Sequence, residues 1–227
     1  MEKVARKGSS EFSPGEALGL ELYTQIKTLP ESIGKLKKVR KIWLYGSKLQ
    51  RIPPEIGQME ALEYFDVYTS YDLQWLPYEI MYCKRLKDSR ISTRALYGNY
   101  KNRMAFPSLQ NNPVRYEGET LHCSVCKKEM TYQQTNQMWI SLNVATDVLP
   151  LLVNLCSQEC EASLPKPHPA YVPFAHKGGA ELVQPTEEEY YEYLRANGQI
   201  IKSEDLEKER SFRFVKPLKL IKKIWKK

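Results

Sequence analysis

No run of apolar residues in this 227-residue sequence approaches the length needed to cross a bilayer. The opening stretch, MEKVARKGSSEFSPG, is polar and has no apolar segment of the kind a secretory signal requires. These two absences lead to the expectation of a cytoplasmic, reducing environment. Several catalytic signatures are missing as well. There is no HExxH segment, no H-x-E paired with P-C-x-x-C, and no glycine loop of the phosphate-cradling type. No Ser/His/Asp set or pair of carboxylates stands out, and the expectation is a protein without catalysis. Apolar content is ordinary, which places the chain in the globular class with room for one or two domains.

Charge is distributed unevenly. The net charge of +7 is carried by residues 212–227, FRFVKPLKLIKKIWKK, which contain seven Lys and Arg and no acid; the remainder balances 27 basic against 27 acidic residues. At helical spacing Leu218, Leu220, Ile221, Ile224 and Trp225 gather on one side of this tail. Lys219, Lys222, Lys223, Lys226 and Lys227 lie mostly on the other, with Pro217 fitting a helix start. A short basic amphipathic segment of this kind suits an anionic membrane surface, a partner groove, or the protein's own body.

An internal period organises the first half. LYTQIKTLPESIGKLKKV (22–39), LYGSKLQRIPPEIGQMEAL (44–62) and VYTSYDLQWLPYEIMYCKRL (67–86) share the pattern (L/I)-x-x-(L/I)-P-x-x-I-x-x-(L/M/C)-x-x-(L/V). The first unit is shorter before Ile26. Residues 17–110 resemble the bacterial-type leucine-rich repeat with an LPxxIxxL segment, and STRALYGNYKN…FP resembles stretches of bacterial proteins of that kind. The resemblance implies a bacterial source and a short α/β solenoid. Each unit lays one short strand beside the last in a parallel sheet, with an irregular or short-helical convex side. Residues 86–110 read as a degenerate final unit with a cap. Cys83 occupies an apolar slot and reads as core.

Stacking equivalent positions gives columns on the concave face. One contains Tyr23, Tyr45, Tyr68 and Ser92; the next Glu21, Trp43, Asp66 and Arg90; a third Lys41, Tyr64 and Asp88. This aromatic wall flanked by mixed charge suits a protein or peptide ligand, or cover by another part of the same chain.

Four cysteines form two close pairs, Cys123-x2-Cys126 and Cys156-x3-Cys160, with 29 residues between the pairs. In a reducing compartment such pairs point to a metal, with free or redox-active thiols as the alternative. Four thiolates make a closed tetrahedral set typical of structural zinc, one ion per chain. LHCSVCKKEM reads as a knuckle, MWISLNV and LPLLVNL as a hairpin, and Ser157 as the cap of a helix whose first turn carries Cys160. Knuckle, hairpin and ligand-bearing helix resemble the treble-clef zinc finger. A RING-type ligase would need a second metal set, and the catalytic cysteine domain of bacterial leucine-rich-repeat ubiquitin ligases has no counterpart here.

The expected organisation is a flexible N-terminus (1–16), repeats with a terminal cap (17–110), a small α+β zinc-binding domain (111–178) and a helical extension with the basic tail (179–227). In that extension TEEEYYEYLRANG shows a capping-box pattern and a glycine stop. The expected function is an adaptor that binds a partner on the repeat face. The alternative is a nucleic-acid or anionic-membrane module that uses the finger and the tail.

Overall fold

The computed structural model describes residues 1–199. The amphipathic tail singled out above, including Leu218, Ile221, Ile224, Trp225, Lys222 and Lys223, lies outside the described residues. The described chain is of mixed α/β type, with a parallel sheet and few helices.

Four short strands form that sheet: β1 (Glu11–Phe12), β2 (Lys41–Trp43), β3 (Tyr64–Val67) and, after β4 (Leu76–Pro77), β5 (Asp88–Ile91), in the order β1-β2-β3-β5. Register follows the sequence period. Lys41, Tyr64 and Asp88 stand level, as do Trp43, Asp66 and Arg90. Between strands the chain passes through single 3-10 turns at Glu31–Lys35, Pro54–Gln58 and Tyr78–Tyr82, each entered from an extended proline. Proline fixes φ and has no N–H to leave unpaired, so it suits the start of such a turn.

The apolar slots of the repeat (Ile42, Leu44, Leu49, Ile52, Ile56, Met59 and Leu62 in the second unit) are all essentially inaccessible and share one core. Cys83 is buried among them, its thiol pushed up to about 12 by burial, with its Sγ 3.2 Å from the carbonyl of Ile56. Close stacking demands glycine at one place. A Cβ on Gly57 would lie 2.5 Å from the carbonyl oxygen of Glu79 in the next turn.

Residues 1–16 are not the bare flexible segment expected. Helix α1 (Glu2–Lys7) precedes β1, and Phe12 joins the core beside Ile42. The first unit is correspondingly different. Its strand is Glu11–Phe12, and the segment around Glu21 and Tyr23 belongs to helix α2 (Pro14–Tyr23), interrupted at Gly19. The reason is local: Pro14 sets the first helical position, and the sequence that follows is rich in Glu, Ala and Leu.

The expected boundary near residue 110 is also absent, because Met1–Thr186 forms one compact unit. Strands β8 (Asn136–Val144) and β9 (Asp147–Leu155) make the antiparallel hairpin, and β9 pairs in parallel with β4. One face of the hairpin, including Ile140, Leu142, Leu151 and Val153, enters the core of the repeats. The other carries Trp139 and Leu152 into a second cluster with Trp75, Phe106, Leu109 and Val172. Burial on both faces accounts for the nearly continuous apolar reading of β9. Trp139 is fully buried, and its Nε1 donates to the Pro107 carbonyl at 2.9 Å. Thus the end of the segment 86–110, read as a degenerate final unit with a cap, instead covers the outer face of the hairpin through Phe106 and Leu109.

A second unit begins at Glu187. Its described part is helix α4 (Glu187–Ala196), acidic in its first turn, with Gly198 in the left-handed region beyond it. Among the described residues no helix is long and apolar enough to cross a membrane.

Candidate metal centre and interaction face

Strands β6 (Thr120–His122) and β7 (Glu129–Thr131) pair antiparallel, and the turn between them presents Cys123 and Cys126. The turn closes through Cys123 N donating to Lys128 O at 2.8 Å and Lys127 N donating to Cys123 O at 3.0 Å, with Lys127 in the left-handed region. The second pair arrives from β9, which runs directly into Cys156. Ser157 then caps helix α3 (Gln158–Ala162), its hydroxyl accepting from the Cys160 amide at 3.3 Å. A side chain just before a helix and another in its first turn therefore reach the same point.

All four Sγ atoms lie within 4.8 Å of one another, with Cys126 to Cys156 at 3.4 Å and Cys156 to Cys160 at 3.6 Å. A tetrahedron of thiolates around an ion at about 2.3 Å has edges of about 3.8 Å. The cluster matches that size, and the four cysteines can hold a metal ion. Burial disfavours the Cys123 thiolate, but amides of Cys126, Val125 and Cys156 directed at its sulfur outweigh that and bring the thiol down to about 7. The crowded neighbouring thiols, Cys126 foremost, drive Cys156 the other way, to about 12. Four sulfurs this close cannot all ionise unless a cation sits among them.

Residues that the sequence did not single out fix the knuckle to the hairpin. Ser124 N donates to Asn154 O at 2.6 Å, and Asn154 N donates back to Ser124 Oγ at 3.0 Å. The Asn154 side chain accepts from Gln137 Nε2 at 2.8 Å. All three residues are buried. Their signal in the sequence is weak: polar positions inside otherwise apolar strands.

The expected concave face is brought together in part. Tyr45 and Tyr68 project from adjacent units, 56% and 42% exposed, with ring centroids 6.1 Å apart. The Arg90 guanidinium lies 5.0 Å from the centre of the Tyr68 ring. Trp43 and Tyr64 are half-buried and 5.0 Å apart. Asp66 is 1% exposed and serves the wall from within: Oδ1 accepts from Tyr68 N at 3.0 Å, and Oδ2 faces Arg90 Nη1 at 3.3 Å. Tyr23 does not continue the column. It is buried, and its hydroxyl donates to the Tyr45 carbonyl at 3.1 Å, so it buttresses the wall from inside. Burial pushes its phenol up to about 12. Glu21 is exposed on α2 and outside the strand register. Glu11, level with Lys41 on β1, reaches Trp43 instead: its Oε2 accepts from Trp43 Nε1 at 2.9 Å and its other oxygen lies 3.6 Å from Lys41 Nζ.

No protein-family model matches this sequence, and no curated protein matches it.

Proposed function

We propose that the chain is a non-catalytic adaptor. In this reading a short leucine-rich-repeat solenoid binds a protein or peptide on its concave aromatic face, and a treble-clef-like finger with one structural zinc closes the end of the stack. The observation that carries the proposal is the exposed Tyr45–Tyr68 pair, held by buried Asp66 and Tyr23 and flanked by Arg90. Rigid aromatic groups bury much area at small entropic cost, and Arg adds a planar donor beside them. The metal is assigned as zinc because four thiolates suit a borderline-soft, redox-inert ion, and four protein ligands leave no open position for catalysis. A cytoplasmic, reducing setting fits the free thiols.

The test is selection of a displayed peptide library on the purified, zinc-loaded chain, followed by affinity measurement with three proteins. Affinity for the selected peptides should fall at least about tenfold in Tyr45→Ala/Tyr68→Ala and stay unchanged when residues 212–227 are removed. If instead the chain binds nucleic acid or anionic vesicles in a salt-sensitive way that the truncation abolishes and the tyrosine variant retains, the adaptor reading fails.

A further inference from the structure

A second feature lies away from the aromatic wall and borders the cysteine turn at His122 and Lys127. The stacked 3-10 turns and the strap that leads into β6 enclose a groove of about 930 Å³. Glu55 and Glu79 line it, from equivalent places in successive turns. Glu79 is 6% exposed, yet its Oε2 has no hydrogen-bond partner, and the same is true of Oε2 of Glu55 and the hydroxyl of Tyr116, also in the groove wall. Three orphaned polar atoms around one cavity are an unusual concentration, since buried polar groups are nearly always paired.

None of the groove's own cations is hydrogen-bonded to either Oε2, although the charge of Lys127 acts on Glu79 through space. Arg51 Nη1 is spent on the Arg115 carbonyl at 2.7 Å, and the Arg115 guanidinium lies 4.6 Å from the Tyr132 ring centre. Lys127 Nζ donates to the Ser124 carbonyl at 3.2 Å and sits 3.7 Å from the centre of the Tyr82 ring. What the two Oε2 atoms lack is a hydrogen-bond donor, and a cationic group with several N–H would supply it. Tyr82 and Tyr116 provide aromatic sides against which an alkyl stem can lie.

We infer that this groove is a binding site for an alkylammonium or guanidinium group, received by Glu79 and Glu55 with Tyr82 and Tyr116 along its stem. The volume is of the order that encloses a small ligand or one anchored side chain. Burial, the largest influence on both carboxyls, holds each above the usual carboxylate range, so a cation arriving between them offsets the cost of that burial. The site is independent of the proposed partner face, which stands on other residues.

The test is an NMR titration of the full zinc-loaded chain with two probes, the capped peptide acetyl-Gly-Lys-Gly-amide and the free diamine cadaverine. Saturable shifts of the Tyr82 and Tyr116 ring signals are expected, with affinity at least about tenfold weaker in Glu79→Gln. Glu55→Gln, at a half-buried position, gives the same reading if Glu79→Gln folds poorly. Tighter binding of the peptide assigns a basic side chain as the ligand; tighter binding of cadaverine assigns a free amine. Absence of saturation with both probes, or equal affinity in the wild type and the folded variants, overturns the assignment. Tyr45→Ala/Tyr68→Ala should bind both probes normally, which separates this site from the concave face.

Discussion

Arg90 and Asp66 stand level on neighbouring parallel strands, with Nη1 3.3 Å from Oδ2, yet their surroundings differ: the aspartate side chain is 2% exposed and the arginine side chain 53%. The pair is one-sided. Water can replace Asp66 as the partner of Arg90, but little can replace Arg90 for Asp66.

Removing each partner should therefore have unequal effects. Arg90→Ala leaves the Asp66 carboxylate with the Tyr68 amide and the distant Tyr64 hydroxyl. A loss of about 1–2 kcal/mol in urea unfolding is expected, at the lower end for a buried charge because the guanidinium is half in solvent. Asp66→Asn keeps an acceptor for Tyr68 and should cost less. Equal losses would contradict the one-sided geometry.

Close stacking of the turns gives a second prediction. In Gly57→Ala the new methyl meets backbone, the Glu79 carbonyl at 2.5 Å; in Gly34→Ala the nearest atom, at 2.7 Å, is the end of the Gln58 side chain, which can swing away. Gly57→Ala should destabilise by about 1–3 kcal/mol and Gly34→Ala by distinctly less, as read from denaturation midpoints.

The cysteine cluster makes a third. Purified chain should contain about one zinc per molecule. Chelation should abolish hydrogen-exchange protection in β6, β7 and α3, while β2 and β3, held by the aliphatic core, remain protected. Ser124→Ala takes away the acceptor that ties the knuckle to Asn154 and should weaken zinc about 10–100-fold, measured by competition with a chelating dye.

His176 supplies a pH dependence. It is buried against Phe106, with ring centroids 4.6 Å apart, and burial lowers its pKa from 6.5 to about 4. The folded chain thus holds the imidazole neutral while the unfolded chain protonates it. Its contribution is complete above pH 6.5 and is lost as pH falls towards 4, by at most about 3 kcal/mol. An imidazole NMR titration should place its midpoint near 4; a value near 6.5 would mean the ring is solvated.

The apolar period was legible because every turn of the stack repeats one environment. Ile42, Phe65 and their neighbours in sequence are spaced as they are buried, so spacing alone gives the level of Tyr64 with Lys41 and of Arg90 with Asp66. The two cysteine pairs were legible for a similar reason: the turn and the capped helix that aim the sulfurs are local, set by a few residues around each pair. Tyr23 was misplaced because its unit shares the downstream apolar slots of the others, while Pro14 had already turned the preceding chain into a helix.

Sequence alone determined the parallel stacking and which thiols can share an ion, since both follow from short-range periodicity and local turns. Tertiary structure decided that Glu11 rather than Glu21 stands beside Trp43. It also decided that the hairpin joins the repeats into one core, and that Glu55, Glu79 and Tyr116 surround one groove with unmet hydrogen bonds. These depend on which distant surfaces bury each other, a choice made by contact area and shape across the whole chain and recorded in no single stretch of it.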